Sequence, residues 1–334
     1  MKNMKEIKDI ILCGDAAEEL KNLPDGSIDM CVTSPPYFGL RNYDVAGQIG
    51  QEKSPDEYVA RLLDVFSEVH RVLKPEGTLW LNIGDAYAGS GQGAGTKNPS
   101  EKQKSNRGMT HMQVDGFKSK LLTVQDCKRK DMIGIPWKLA FALRDAGWVL
   151  RQDIIWYKPN VMPESVKDRC TKSYEHIFLL AKNEKYYFNS AAIREPCSES
   201  SLADFKRRKT LTNKGGGQES YEGVRPDLCR SRADYYSNDG KRNARDVWEI
   251  NTKPYKGAHF ATFPEELASR CISAGCPENG IVLDPFMGAG TTAITALKQG
   301  KHYIGIELNH NYISMAEERI RNVAQNIERK GANE

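Results

Sequence analysis

The sequence predicts an α/β fold built on a mostly parallel sheet with helices on both faces, and three observations support this. Seven short segments are rich in Ile and Val, and several are continuously apolar, as strands covered on both faces should be. Helical patterns alternate with these segments at both ends of the chain. Two long polar stretches interrupt the alternation without sustained periodicity. The predicted strands are residues 9–13, 28–33, 78–83, 148–156, 175–181, 281–284 and 303–307.

The clearest helix signal begins at Ser54. Ser54 can cap the helix, Pro55 suits the first helical position, and Glu57 closes a capping box. Apolar residues then repeat at helical spacing as far as Leu73, and the Lys-Pro-Glu-Gly sequence at 74–77 predicts the end of the helix.

The two polar stretches, residues 88–130 and 197–246, are predicted to be insertions, because loops of this length are usually functional or disordered. The main domain then comprises 1–196 and 247–325, with 88–130 as a loop insertion and 326–334 as a flexible tail. Basic residues outnumber acids between 97 and 130. On charge alone, a solvated loop and a nucleic-acid contact both explain that excess.

Composition narrows the class of protein. A chain of 334 residues can bury a large core, and its net charge of +4 does not by itself establish a nucleic-acid partner. The eight cysteines form no Cys-x-x-Cys pair, and no histidines follow them at zinc-finger spacing, so we expect reduced thiols, a cytosolic protein and no metal site. No run of eighteen apolar residues occurs, so neither secretion nor a membrane span is predicted.

A glycine-containing loop, Pro285-Phe286-Met287-Gly288-Ala289-Gly290-Thr291-Thr292, follows the strand that ends at Asp284. The glycines allow a ligand to approach the backbone, and the helix that follows presents unpaired N–H groups. The next strand ends at Glu307, which lies 307 − 284 = 23 residues after Asp284 and is placed to bind ribose hydroxyls. A dinucleotide enzyme and an ordinary strand-to-helix turn remain alternatives, although residues 284–287 lengthen a turn that dinucleotide binders keep tight.

A rigid loop, Ser34-Pro35-Pro36-Tyr37, follows the strand 28–33. Its two prolines fix φ and remove two N–H donors, which leaves carbonyl oxygens and the Ser34 hydroxyl as acceptors. Acceptors beside the aromatic ring of Tyr37 suit the exocyclic amino group of a flipped base. A proline turn at the surface is the alternative explanation.

These motifs together resemble those of amino-group DNA methyltransferases. Ser34-Pro35-Pro36-Tyr37 resembles their catalytic motif (D/N/S)-P-P-(Y/F), and residues 284–292 look like their S-adenosylmethionine loop. The catalytic motif precedes the cofactor loop, as in the β group of that family. Residues 13–15, 154–160 and 259–264 agree with the resemblance. It implies a class I S-adenosylmethionine-dependent methyltransferase fold: a Rossmann-like, doubly wound, mostly parallel sheet in circularly permuted order, with polar insertions for DNA recognition.

The resemblance also implies residue roles. The Ser34 hydroxyl and the Pro35 carbonyl accept hydrogen bonds from the amino group, and Tyr37 stacks on the base. The amine attacks the sulfonium methyl and loses a proton to solvent or to Ser34. The carboxylate of Asp284 is expected to pair with the cofactor's ammonium, and no metal is required. The implied catalytic residues are Ser34, Pro35, Pro36 and Tyr37, and the implied cofactor-binding residues are Asp15, Asp284, Phe286, Gly288, Gly290, Thr291, Thr292 and Glu307.

Serine at the first motif position favours cytosine N4 over adenine N6, because aspartate is commoner among the adenine enzymes of that family. The expected partners are double-stranded DNA, a cognate restriction endonuclease and a second copy of the chain in a homodimer, in a cytoplasmic, nucleoid-associated, prokaryotic or phage setting without a membrane. Of the two insertions, 197–246 is favoured for target recognition. An adenine-N6 enzyme, an RNA or protein amino-group methyltransferase, and a non-catalytic nucleic-acid-binding module remain alternatives.

Three further residues lie near the predicted strand ends. Asn82 and Asp85 follow a strand at the position where active-site loops emerge, and the capping of a turn explains Asp85 equally well. Glu175 is assigned to the edge of a strand. Cys197 follows a proline, as carbon-5 cytosine methylation requires, but the rest of that pattern is missing.

Overall fold

The structure is a computed structural model that describes residues 7–40, 45–88, 127–200, 203, 240–252 and 263–331. The chain divides into two compact units. The first comprises Met1–Phe188 and Val247–Glu334, and the second comprises Asn189–Asp246. The predicted insertion began at residue 197, whereas the second unit begins at Asn189. There the Asn189 side chain caps a 3₁₀ turn, Ser190–Ile193, by accepting a hydrogen bond from the Ala192 N–H at 3.2 Å.

One eight-stranded sheet forms the centre of the first unit. Its order is β1-β10-β9-β2-β3-β5-β4-β8, and β5 alone runs antiparallel to its neighbours. A short antiparallel pair, β6 with β7, lies in the second unit. The mostly parallel sheet confirms the predicted fold class. The strands are β1 Ile10–Cys13, β2 Ile28–Thr33, β3 Leu73–Ile83, β4 Val149–Tyr157, β5 Tyr174–Ala181, β6 Glu195–Pro196, β7 Lys241–Arg242, β8 Val247–Glu249, β9 Ile281–Asp284 and β10 His302–Glu307.

Helices cover both faces of this sheet. On one face, α1, α2 and α3 pack against one another and share a core with Leu79 and Leu81 of β3. On the other face, α4 approaches β3 closely: a Cβ added to Gly275 would lie 2.4 Å from the Trp80 Nε1. Helix α5 packs against α4, and α6 packs against α5. The helices are α1 Ala16–Leu20, α2 Pro55–Val72, α3 Ile135–Asp145, α4 Glu265–Gly275, α5 Thr291–Lys298 and α6 His310–Gly331.

Two boundaries differ from the sequence-based expectation. Strand β3 begins at Leu73 instead of residue 78, because Leu73 is buried, adopts an extended conformation and pairs with Ile28 before a register shift. The expectation of a flexible tail from residue 326 was wrong, because α6 continues to Gly331. No glycine or proline occurs between His310 and Gly331 to end the helix earlier.

The strand order reverses between β9 and β2. From β9 the chain passes through α5 to β10 on one side, and from β2 it passes through α2 to β3 on the other. Ligands of open α/β sheets bind at the carboxyl ends of the strands that flank such a point. Within the described ranges, no helix is long and apolar enough to cross a membrane, and no three His, Cys, Asp or Glu side chains are grouped as metal ligands.

Candidate active site

The proline-containing loop and the glycine-containing loop meet at this reversal point. Val282 and Leu283 of β9 pair with Met30 and Cys31 of β2, so both strands end at the same edge of the sheet. Two residues further along β2, the Thr33 hydroxyl donates a hydrogen bond of 2.6 Å to the Asp284 carboxylate. This bond joins residues that are 251 positions apart and holds the two loops side by side.

Asp284 is the buried junction of the two loops, with 1% of its surface exposed. Its carboxylate also accepts hydrogen bonds from the Thr292 hydroxyl at 2.6 Å and from the Phe286 N–H at 3.0 Å. Burial raises the pKa of Asp284 to about 6, against the opposing effect of these donors. Both carboxylate oxygens have protein partners, so Asp284 stabilises the loop from the core side. The expected pairing of Asp284 with a cofactor ammonium stays a prediction.

The glycines of the second loop adopt conformations that other residues rarely reach. Gly288 has φ 52° and Gly290 has φ 77°. A Cβ added to Gly290 would also lie 3.0 Å from the Ala316 Cβ of α6. Thr291 and Thr292 begin α5 and are buried, whereas Phe286 is only partly buried. The loop therefore offers backbone and the Phe286 ring to a ligand.

Acidic side chains at two further strand ends line the same edge of the sheet. The Glu307 carboxylate ends β10 and accepts hydrogen bonds from the Gly288 and Asn309 N–H groups, each at 2.8 Å. Burial raises the pKa of Glu307, although these donors oppose the shift. Asp15 follows β1 and caps α1, and its second oxygen lies 3.9 Å from the Arg61 guanidinium. Because β1 and β10 are neighbours, Asp15 and Glu307 lie at adjacent strand ends.

Contacts with α2 fix the proline-containing loop from one side. The Tyr58 hydroxyl donates to the Pro36 carbonyl at 2.8 Å. Arg61 donates to the carbonyl oxygens of Gly47 and Gln48 and to the Glu52 carboxylate, at 2.9, 3.2 and 3.2 Å. The segment that Arg61 holds contains Gly50, whose carbonyl accepts from the Gly39 N–H at 2.9 Å. One helix thus supports both flanks of the loop.

Tyr37 is held by side chains from β3 and β5. Its hydroxyl donates to the Glu175 carboxylate at 2.6 Å, with the Asn82 Oδ1 at 3.3 Å, and it receives a longer hydrogen bond of 3.4 Å from the Ser34 hydroxyl. Burial, followed by the charge of Glu175, raises the pKa of Tyr37 well above its ordinary value. Tyr37 therefore stays protonated and acts as a donor at neutral pH.

The structure gives different contacts to two acids near these strand ends, Asp85 and Glu175. Asp85 accepts hydrogen bonds from the N–H groups of Gly134 and Ile135 at about 3.0 Å and so caps α3, which has a glycine at its own N-cap position. This confirms the capping interpretation for Asp85. Glu175 lies near the start of β5, in agreement with its assignment to a strand edge, and it also contacts the motif tyrosine. Lys158 lies within the noted segment 154–160, but the sequence held no signal for its pairing with Glu175.

Gly84 provides a test of how tightly Tyr37 is placed. A Cβ added to Gly84 would lie 2.8 Å from the Tyr37 Cε2, so we expect Gly84→Ala to displace the ring. A displacement of this kind predicts a loss in kcat of about 10-fold, because misplacement of about 1 Å can cost about 100-fold. Steady-state methylation assays check this prediction, with the Kd for the cofactor as the control. An unchanged kcat would contradict the close packing of Tyr37 on Gly84.

A doubly wound sheet with these two loops at its reversal point defines a class I methyltransferase that acts on amino groups. A family model described as DNA methylase, for the N6 and N4 enzymes, matches residues 28–318, and the chain belongs to this family. It is therefore a DNA cytosine-N4 or adenine-N6 methyltransferase. Among its relatives are the Type II methyltransferases M.SmaI of Serratia marcescens, 42% identical over 95% of this chain and 92% of that protein, and M.Cfr9I of Citrobacter freundii, 43% identical over 96% and 90%.

Solved structures share the fold. A Thermus thermophilus protein described as a DNA modification methylase, in complex with S-adenosyl-L-methionine, matches with a TM-score of 0.55 and 23% identity over 94% of this chain and 93% of that one. The PvuII DNA methyltransferase, described as cytosine-N4-specific, matches with a TM-score of 0.57 and 17% identity over 94% and 89%. These likenesses confirm the predicted class I fold.

S-adenosylmethionine is the cofactor of this family, and the residues present fit it. Its ribose needs hydrogen-bond acceptors, its adenine needs an apolar surface, and its amino-acid end carries an ammonium. The strand ends described above offer the carboxylates of Asp15 and Glu307 and the partly buried ring of Phe286, and Gly288 adds no side chain beside them.

Proposed function

We propose that this enzyme methylates the N4 amino group of cytosine in DNA. The observation that carries the proposal is Ser34, the first residue of the motif, whose hydroxyl lies at the carboxyl end of β2 and donates to the Tyr37 hydroxyl. With its proton engaged there, the Ser34 oxygen keeps its lone pairs for an N–H of the substrate. Serine at this position is commoner among the cytosine-N4 enzymes of the family.

We propose that the flipped cytosine is held by the loop Ser34-Pro35-Pro36-Tyr37. The Ser34 hydroxyl and the Pro35 carbonyl accept hydrogen bonds from the amino group and orient its lone pair, while the ring of Tyr37 stacks on the base. Holding the amine in attack geometry contributes much of the rate enhancement, an effect worth up to about 7–11 kcal/mol. Pro36 keeps the loop rigid, and its carbonyl is already bonded to Tyr58.

Bound S-adenosylmethionine supplies the electrophilic methyl group as a sulfonium. We propose that Glu307 binds the ribose hydroxyls, that Phe286 packs against the adenine, and that Asp15 faces the ammonium. The backbone of Gly288 and Gly290 allows close approach. We propose that Asp284, Thr291 and Thr292 support the conformation of the loop, because all three are buried.

The DNA-binding parts are proposed from the chain's organisation. Most of the insertion at 88–130, and most of 197–246, lie outside the described residues. We propose that both contact DNA and that the unit Asn189–Asp246 contains the part that recognises the target sequence. A cognate restriction endonuclease, suggested by the Type II names of the relatives, a homodimer, and a cytoplasmic location belong to the same proposal.

Transfer of label from tritiated S-adenosylmethionine to plasmid DNA, followed by nucleoside analysis, tests the base assignment. We expect the label in N4-methylcytosine, and none with Ser34→Ala at the same enzyme concentration. Label in N6-methyladenine would overturn the cytosine assignment but leave the family intact. Label in N4-methylcytosine that Ser34→Ala does not reduce would overturn the role of Ser34.

A further inference from the structure

Glu175 is a partly buried carboxylate on which three elements of the site converge. It accepts hydrogen bonds from Tyr37 of the proline-containing loop at 2.6 Å, from the Asn82 side chain at the end of β3 at 3.1 Å, and from Lys158, which follows β4. The side chains of Glu175 and Lys158 are each only 15% exposed. An ion pair shielded from solvent to this extent is costly to maintain and often no more stabilising than apolar packing, so its place beside the proline-containing loop calls for a functional explanation.

Lys158 keeps Glu175 ionised. Burial opposes the charged form of Glu175, but the charge and hydrogen bond of Lys158, together with Tyr37 and Asn82, outweigh it and lower the pKa of Glu175. The Lys158 ammonium also lies 4.2 Å from the centre of the Trp156 ring, which fixes its position. An ionised carboxylate has no proton to donate, so Glu175 can only accept hydrogen bonds.

The acceptor-only state of Glu175 sets the direction of every hydrogen bond that leads to Ser34. The single Tyr37 proton goes to Glu175, at 2.6 Å, so the Tyr37 oxygen is left as an acceptor. The Ser34 hydroxyl donates its proton to that oxygen at 3.4 Å. The lone pairs of Ser34 then remain for the substrate amine, which must find an acceptor there and not a competing donor.

We propose that Glu175 is a positioning residue: its contact with Lys158 and Tyr37 orients the Tyr37–Ser34 hydrogen bonds so that Ser34 faces the substrate as an acceptor. This inference rests on the proposed role of Ser34 and Tyr37. A carboxylate at this position also explains why the chain has Tyr at position 37, where the family motif admits Phe. Without the hydroxyl, Glu175 would have no means of acting on Ser34.

The test is Glu175→Gln, alone and combined with Tyr37→Phe. Glutamine keeps the shape of the side chain but presents an N–H₂ donor as well as an acceptor, so the direction of the hydrogen bonds is no longer fixed. We expect kcat to fall by about 10- to 100-fold, the size of one hydrogen bond to a charged group, while the Kd for S-adenosylmethionine changes by less than about threefold. The double variant should be no slower than Tyr37→Phe, because Glu175 acts through the Tyr37 hydroxyl.

The matched control is Asp153→Asn. Asp153 is a carboxylate on the neighbouring strand β4 that pairs with His176 at 3.0 Å, and it does not contact Tyr37. We expect it to leave kcat within about threefold. Normal activity of Glu175→Gln would overturn the inference. So would a double variant that is slower than Tyr37→Phe by the full factor that Glu175→Gln causes on its own. An unchanged kcat of Tyr37→Phe would overturn it as well, because phenylalanine keeps the ring that stacks on the base and lacks only the hydroxyl through which Glu175 acts. Failure of the proposed motif would instead show as normal activity of Tyr37→Ala.

A second variant covers the case in which Glu175→Gln does not fold. Lys158→Gln removes the cation that keeps Glu175 ionised. Tyr37 and Asn82 remain around the carboxyl, and so does Lys172, whose charge interacts with Glu175. In the pH profile of kcat, the fall in activity on the acidic side should then occur at higher pH, because Glu175 protonates more readily and becomes a donor. A fall in activity at an unchanged pH would contradict the proposal.

Discussion

Tyr37→Ala is expected to lower kcat for DNA methylation by about 100- to 1,000-fold, with S-adenosylmethionine bound as tightly as before. The substitution removes the ring proposed to stack on the base, worth about 1–3 kcal/mol, and it also frees the Ser34 hydroxyl from its partner. It leaves Asp15, Phe286 and Glu307 untouched. Single-turnover methylation and calorimetric titration with the cofactor measure the two effects separately.

Tyr186→Ala is the matched control for this prediction. Tyr186 follows the end of β5 that pairs with the beginnings of β3 and β4, so it lies at the opposite edge of the sheet from the loops. Its hydroxyl accepts a hydrogen bond from the Arg151 side chain at 2.8 Å. We expect normal kcat for this variant. A Tyr37→Ala enzyme as active as the Tyr186→Ala enzyme would contradict the assignment of the catalytic loop.

Asp284→Ala is expected to lower the free energy of unfolding by about 3 kcal/mol and to weaken S-adenosylmethionine binding at least about 10-fold. The hydroxyls of Thr33 and Thr292 and the Phe286 N–H would lose their buried acceptor, at a cost of about 1–3 kcal/mol for each unsatisfied group, partly offset by removing a buried carboxyl. Urea denaturation and calorimetric titration measure the two losses.

Asp29→Ala provides a comparison within the same pair of strands. Asp29 is buried at the beginning of β2, where it accepts hydrogen bonds from the Ile281 N–H at 2.9 Å and from Lys74 at 2.7 Å, so it joins β2 to β9 at the opposite edge. Its replacement should destabilise the fold but leave the Kd for the cofactor unchanged. Equal losses of cofactor affinity in both variants would show that Asp284 contributes only general stability.

The regular elements could be predicted because their signals are local. Ser54 caps α2 as expected, with its hydroxyl 3.2 Å from the Glu57 N–H, and all seven predicted strands are present. The alternation of strands and helices was enough to predict the parallel sheet. The early start of β3 was missed because Leu73 fits the pattern both as the last apolar residue of a helix and as the first residue of a strand. Its pairing with Ile28, which the sequence does not show, places it in the strand.

The site was predictable to the extent that its residues lie in contiguous motifs. The two loops were found in this way, and chain order alone suggested that they belong together. The sequence could not show that Asp284 faces inward, because an acid after a strand is equally suited to a ligand or to buried threonines. Nor could it connect Tyr37 with Glu175, which lies 138 residues away and acquires its role from the antiparallel pairing of β5 with β3.

The structure of the enzyme with DNA and an unreactive analogue of S-adenosylmethionine tests the central claim most directly, namely that the loops after β2 and β9 form one site for amino methylation. The account predicts a cytosine flipped out between the loops, with its N4 nitrogen in hydrogen-bond contact with Ser34 and about 3–3.5 Å from the position of the transferable methyl. A flipped base held elsewhere, or an amino group that faces away from Ser34, would contradict it.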